Sequence, residues 1–300
     1  MKVRLEGHLA DPAVLDAVAP GLSPTSVEAN ETVIARIDFH EKMYGRARVP
    51  GDVAAWSGDM PPLELVREAA ADVMRHFDGD LPPGGISAVL RRAQARLEAG
   101  RDASSERRVE TLDRTRVHEG FYAVDAVRLR HEANGGGMSD ELQRFVFVSY
   151  DAAILLPYDP VADRVLVVEQ FRMGPYGRGS RDPWLIEPVA GLIDPGEGPE
   201  STAIREAEEE AGLTIRELIA LGAGYTSPGA STGYHYHYIG LCDIPAEVRQ
   251  GGAEDEGEDI RAIPMPAEAL FARLDAGTLR AAPLMFCAMA LRERRADLRA

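Results

Sequence analysis

The chain is poor in the residues that would tie it to an oxidising compartment, a membrane or a nucleic-acid backbone. Cys242 and Cys287 are its only cysteines in 300 residues. Two thiols cannot build a disulfide framework or a four-thiolate zinc site, and they point to a reducing cytoplasm. Lysine is confined to Lys2 and Lys42, so a lysine-dependent phosphate loop is excluded and arginine must do any anion binding. Positive charge is short overall: 33 basic residues against 49 acidic ones leave a formal net charge of −16. That is the opposite of a nucleic-acid footprint, and no nucleic-acid partner is expected. A single nucleotide stays open, because a divalent cation can mediate between carboxylates and phosphates. Long hydrophobic runs are missing too. The most apolar stretch, residues 145–157, is broken by Ser149, Tyr150 and Asp151, well short of the ~20 residues a bilayer requires. No apolar core follows Met1-Lys2-Val3-Arg4, so neither a membrane partner nor a signal peptide is expected.

What is present is an ordinary globular balance, 45% hydrophobic and 27% charged, in a chain long enough for two units. Helical spacing of apolar residues marks 63–77 and 86–97, separated by Pro82-Pro83-Gly84-Gly85. The polar stretch 98–108 reads as a linker. From Val109 the pattern turns to strands, at 121–129, 145–148, 152–156, 165–168 and 234–241, with helices expected at 199–211, 267–274 and 283–291. The expectation is an α+β fold with two parts: residues 1–108 as a smaller N-terminal α+β or helical region, and 109–300 as the main domain.

The chemistry concentrates in residues 191–213, GLIDPGEGPESTAIREAEEEAGL. Gly191, Glu197, Arg205, Glu206, Glu209, Glu210 and Gly212 satisfy the pattern G-x5-E-x7-R-E-U-x-E-E-x-G-U, where U is a bulky aliphatic. Seven fixed positions at average usage coincide by chance at roughly one start in 10⁸. Ala207 and Leu213 take the U positions, Ala207 being smaller than usual. Pro199 suits the first turn of a helix and Gly212 the left-handed residue beyond its end. Between them Glu206, Glu209 and Glu210 share one face, where like charges destabilise an isolated helix. A hard cation such as Mg²⁺ or Mn²⁺ removes that penalty. Arg205 can lock a neighbouring carboxylate by a bidentate pair.

This pattern is the Nudix box, and with it come residues 152–213, AAILLPYDPVADRVLVVEQFR, PWLIEPVAG and the box, which resemble the ADP-ribose pyrophosphatase branch of Nudix hydrolases. The chain as a whole is most similar to the tellurite-resistance-associated Nudix proteins of bacteria, which carry an extra N-terminal region. The resemblance covers 115–300 firmly and 1–114 loosely. It implies an α/β/α sandwich with a mixed β-sheet and hydrolysis of a nucleoside diphosphate linked to X, with ADP-ribose leading. GDP-mannose or ADP-glucose, or a non-catalytic module that binds ADP-ribose, are the alternatives. It further implies metal binding by Glu206, Glu210 and the Ala190 carbonyl, with Glu209 as the alternative ligand and a catalytic candidate. Glu197 orients Arg205 from behind the ligands. In the acidic loop 254–261, Glu256 matches the family's base and Glu258 a further metal ligand.

The same resemblance makes Arg172, after Glu169-Gln170-Phe171, a clamp for the diphosphate, with Arg144 in MSDELQR a further candidate. It expects a proline shortly after the box, here Pro228, and commonly a Glu where this chain has Gly233, which opens the question of substrate choice. By resemblance the chain is a homodimer that exchanges the strands around 116–148. Tyr234-His235-Tyr236-His237-Tyr238 alternates strictly, which puts tyrosines on one strand face and histidines on the other, an aromatic face before a zinc pair. In the N-terminal region, Leu5-Glu6-Gly7-His8-Leu9 and Ile37-Asp38-Phe39-His40-Glu41 resemble a degenerate γ-glutamyl cyclotransferase fold.

Overall fold

The protein is represented by a computed structural model that describes residues 107–246 and 259–299 continuously. Before them it describes residues 2–3, 27–28 and 85–101 and the helical positions Leu65, Glu68, Ala69, Ala71 and Asp72. The cyclotransferase-like motifs at 5–9 and 37–41, and the acidic loop with Glu256 and Glu258, lie outside the described residues. The chain divides into two compact units. One comprises Met1–Tyr150, Asp194–Gly196 and Ser227–Gly233; the other comprises Asp151–Ile193, Glu197–Thr226 and Tyr234–Ala300.

In the first unit the short strands β1 (Lys2–Val3) and β2 (Val27–Glu28) pair antiparallel. Helix α1 (Gly85–Arg101) buries Ala88, Val89, Leu90 and Ala93. It runs four residues into the segment read from sequence as linker, because Glu98 and Ala99 favour helix without needing an apolar face. Strands β3 (Val109–Glu119), β4 (Ala123–His131) and β5 (Leu142–Val148) form an antiparallel sheet in that order. Charge is buried here: Asp125 on β4 is fully enclosed and accepts from Arg114 and Arg116 of β3. Burial alone would push its carboxyl up, but hydrogen bonds from Arg116 and Arg114 prevail and hold it below the usual carboxylate range. Arg92 of α1, its side chain wholly buried, donates to Glu119 of β3 at 2.7 Å, tying helix to sheet.

The second unit is built on a hairpin, β6 (Ala152–Asp159) and β7 (Arg164–Phe171). Its turn is closed by Asp159 Oδ1, which accepts from the amides of Val161 (2.9 Å) and Ala162 (2.8 Å). The two strands pair only beside this turn and then separate. One stretch fills the gap by changing partner halfway: β8 (Trp184–Glu187) lies on β7 and β9 (Val189–Leu192) on β6. Pro188, which has no amide hydrogen to donate, stands at the change. The short helix α2 (Met173–Gly177) follows β7, and helix α3 (Pro199–Ala211) follows β9. Strands β10 (Glu217–Tyr225), β11 (Tyr234–Leu241) and β12 (Arg261–Pro266) complete the sheet. Its order is β10-β11-β6-β7-β12, with β11 parallel to β6 and the other pairs antiparallel.

Both faces of this mixed sheet are covered. Alternate residues of β6 and β7 therefore enter two cores, which is why their sequence is almost continuously apolar. Ile154, Leu156, Val165 and Val167 meet helices α4 (Ala267–Asp275) and α5 (Ala282–Leu298). Ala153, Leu155, Leu166 and Val168 meet α3. The result is the α+β sandwich expected from the sequence. On β11 the faces divide as the alternation implies: the His237 ring packs on Phe286 of α5 at 4.8 Å, while Tyr236 and Tyr238 join the core beside α3. No helix among the described residues is long and apolar enough to cross a membrane.

Candidate active site

Helix α3 is fixed at both ends by local chemistry. Pro199 occupies its first turn, and the Gly198 amide donates to Ser201 Oγ at 3.1 Å. At the far end Gly212 takes the left-handed conformation (φ 63°, ψ 30°), and the amides of Gly212 and Leu213 close back on the carbonyls of Glu208 (2.8 Å) and Ala207 (3.0 Å). The buried face is Ala203, Ala207 and Ala211, at four-residue spacing. Such small side chains let the helix lie close on β9 and β6, and they account for alanine at 207 where a bulkier residue is usual.

That close approach carries two carboxylates onto the backbone of β9. Glu210, only 2% exposed, faces the Ala190 amide at 3.4 Å from Oε2. Glu206 lies against Gly191, where a Cβ would fall 1.8 Å from Glu206 Oε1. Only glycine admits the Glu206 carboxylate in this position. Glu209, one face further round, is half exposed.

Arg205 gathers the remaining charge. Its Nη1 donates to Glu206 Oε1 and to Glu209 Oε2, each at 2.8 Å. Its Nε and Nη2 reach the two oxygens of Glu197 at 3.3 and 3.1 Å. Glu197 in turn accepts from Thr202 Oγ1 at 2.7 Å. Burial would lower the Arg205 pKa, but the hydrogen bond to Glu197 and the charge of Glu206 outweigh it and raise the guanidinium above its ordinary value. One guanidinium thus bridges three carboxylates and offsets their mutual repulsion.

The carboxylates of Glu206, against Gly191, and Glu210, against the Ala190 amide, are hard oxygen donors of the kind a divalent cation takes. Among the described residues no cluster of three or more His, Cys, Asp or Glu is drawn together as a complete ligand set. Arg205 supplies the compensating positive charge instead.

The other sequence candidates fall in different places. Arg172, at the end of β7, donates from Nε to Glu187 Oε2 at 2.5 Å. Glu187, on β8 and only 15% exposed, escaped the reading of the sequence. Its one signal was an acid between apolar neighbours in Trp184-Leu185-Ile186-Glu187-Pro188. Around this pair Phe171, Tyr176 and Trp184 expose their rings, with Phe171 5.6 Å from Trp184 and 5.7 Å from Tyr176. Arg144 and Pro228 belong to the first unit. Arg144 is exposed on β5 and donates to the Gln143 carbonyl at 2.9 Å. Pro228 is exposed in the 227–233 segment, which docks beside β5 through Phe147 and Ala230 (2.8 Å) and through Thr232 and Phe147 (3.0 Å). Gly233 is buried, its amide donating to Ser231 Oγ at 3.1 Å.

Comparison with known proteins agrees with this architecture. The family model for the NUDIX domain matches residues 148–285. The ADP-ribose pyrophosphatase of Escherichia coli K12 is 37% identical over 171 residues, 57% of this chain and 81% of that protein. The enzyme of the same name from Haemophilus influenzae is 33% identical over 159 residues, 52% of this chain and 73% of the relative. A GDP-mannose pyrophosphatase of Enterobacter sp. strain 638 is 35% identical over 123 residues, 41% of this chain and 64% of its own length. Among solved structures, the crystal structure of an ADP compounds hydrolase shares the fold, with a TM-score of 0.51 and 19% identity over 66% of this chain and 100% of that one. The chain belongs to the Nudix family, as a pyrophosphohydrolase.

Proposed function

We propose that the enzyme hydrolyses the pyrophosphate bond of ADP-ribose, releasing AMP and ribose 5-phosphate, with Mg²⁺ or Mn²⁺ as the cofactor. The observation that carries this reading is the seating of Glu206 and Glu210 against the β9 backbone at Gly191 and Ala190. Glu206, Glu210 and the Ala190 carbonyl would hold the cation, with Glu209 beside them and Glu258 joining from the acidic loop. When bound, the cation neutralises the pyrophosphate and lowers the pKa of the attacking water. Glu256 accepts the proton of that water, a contribution typically worth about 10²–10⁴-fold. Arg172, oriented by Glu187, clamps the diphosphate, while Arg144 and Pro228 contribute to substrate binding. Glu197 keeps Arg205 in register behind the ligands.

The Enterobacter relative favours GDP-mannose as the second substrate to examine. We place the chain nearest the tellurite-resistance-associated branch, with residues 1–108, including its cyclotransferase-like remnant, as an accessory region and 109–300 as the hydrolase domain. We place it in the cytoplasm, acting on a small nucleotide sugar rather than on nucleic acid. The exposed side chains Val117, Phe145 and Phe147 of the β3–β5 sheet support a homodimer.

The deciding experiment is a hydrolysis panel of ADP-ribose, GDP-mannose, ADP-glucose and NADH with Mg²⁺. ADP-ribose should turn over fastest with AMP as product, and EDTA should abolish the reaction. Glu206→Gln should reduce turnover by about 10²-fold or more while the melting temperature holds. Unchanged turnover in that variant would remove the metal assignment.

A further inference from the structure

Gly191 and Glu197, which bracket the seat of α3, are joined through the turn Asp194-Pro195-Gly196. Proline followed by a glycine at φ 85° is the pattern of a type II turn, which closes on its own local geometry. This turn has distant partners as well. Arg91 of α1 donates to Asp194 Oδ1 from Nη2 at 2.5 Å and from Nε at 3.2 Å. The Gly196 amide donates to Gln94 Oε1 at 2.8 Å. Arg91 and Gln94 stand three apart and so project from one side of α1. These contacts reach across more than a hundred residues of chain, from the N-terminal region into the middle of the box.

The helix that presents them is firmly held. Ala88, Val89, Leu90 and Ala93 are buried, and the enclosed Arg92 beside Arg91 is tied to Glu119 of β3. The pair itself is partly shielded, with 20% of the Arg91 side chain exposed and 48% of that of Asp194. Downstream, Gly196 is peptide-bonded to Glu197, and Glu197 holds Arg205, which holds Glu206 and Glu209.

We infer that α1 is a positioning element for the Nudix box: Arg91 and Gln94 set the turn 194–196, and the turn sets Glu197 and, through Arg205, the carboxylates of α3. The inference rests on the reading of α3 as the catalytic helix. In this reading Arg91 and Gln94 are positioning residues that act through the turn and Glu197. The effect belongs in the chemical step, because misplacement of reacting groups by an ångström can cost about 10²-fold in rate.

The test uses the full-length enzyme with ADP-ribose and Mg²⁺, in the variants Arg91→Ala, Asp194→Ala, their double, Gln94→Ala, Arg91→Lys and Glu206→Gln. Arg91→Ala and Asp194→Ala should each lower kcat about tenfold with KM nearly unchanged, and the double should be no worse than either, since both remove one interaction. Gln94→Ala should follow more weakly. Arg91→Lys should recover part of the loss, as lysine keeps the charge without the fork. Without metal, amide hydrogen exchange in Arg91→Ala should quicken at 194–197 and in the first turn of α3 while β4 stays protected. An inactive Glu206→Gln beside unaltered kcat and unaltered box exchange in Arg91→Ala and Asp194→Ala would overturn the inference. So would additive losses in the double, or a fall in melting temperature with no change confined to the box. Full turnover by Glu206→Gln would instead remove the catalytic reading of α3, and this inference with it.

Discussion

Gly191 shows how one residue can serve chemistry without taking part in it. Its backbone needs no left-handed angle, so conformational freedom is not the reason for glycine; the reason is space, since a Cβ there would meet Glu206 Oε1 at 1.8 Å and Cγ at 2.4 Å. Glu206 is a flexible side chain and can swing away, so the fold should tolerate Gly191→Ala. The carboxylate, however, would leave β9 and separate from Glu210. We expect Gly191→Ala to melt within a few degrees of the parent yet lose about 10²-fold in kcat. Calorimetry and steady-state kinetics on the same preparation check both halves. A large drop in melting temperature would mean that the backbone, rather than Glu206, gives way.

At the scale of an element, β11 links burial to pH. His235 lies under α5's side of the sheet, where burial first, and the like charge of His237 second, push its pKa down to about 4. In the unfolded chain it titrates near 6.5. Between those values the unfolded state binds a proton that the folded state refuses, so stability is complete above pH ~6.5 and is lost as pH falls toward 4. The loss between pH 7 and pH 5 is at most about 2 kcal/mol. Urea denaturation at the two pH values measures it, and His235→Phe should flatten most of the difference. His237, which is also pushed down by burial, adds to the same trend. Helix α3 makes the complementary case: its acids are tolerated because Arg205 and two backbone positions of β9 absorb them, where an isolated helix of this sequence would be destabilised.

For the molecule as a whole, the net charge of −16 opposes the capture of an anionic substrate, so binding must rely on local positive charge at arginine and bound cation. The second whole-molecule feature is the apolar sheet surface of the first unit. Phe145 is 61% exposed and Phe147 40%, with Tyr122 4.9 Å from Phe147. The homodimer we propose would cover this apolar surface, a two-fold dimer being the commonest arrangement. Light scattering should give twice the chain mass for the parent and a single chain for Phe145→Glu. A monomeric parent would remove the proposed homodimer.

What the amino-acid order determined alone is whatever repeats with a local period. The bounds of α3 at Pro199 and Gly212 and the alternation of β11 were legible because each depends on neighbours within a turn or two of chain, whereas Glu209, expected on one face with Glu206 and Glu210, is half exposed. Strand β10 was not legible: Ala220, Gly222, Ala223 and Gly224 are poor strand formers, and its bulge at Leu221, between Ala220 and Gly222, exists only in the pairing with β11. Tertiary structure alone decided that Pro188 divides one strand between two partners, that Glu187 meets Arg172, and that Arg91 meets Asp194 across 103 residues. Such pairs have no period to betray them. They exist only once sheet register and helix packing bring together side chains that the sequence holds far apart.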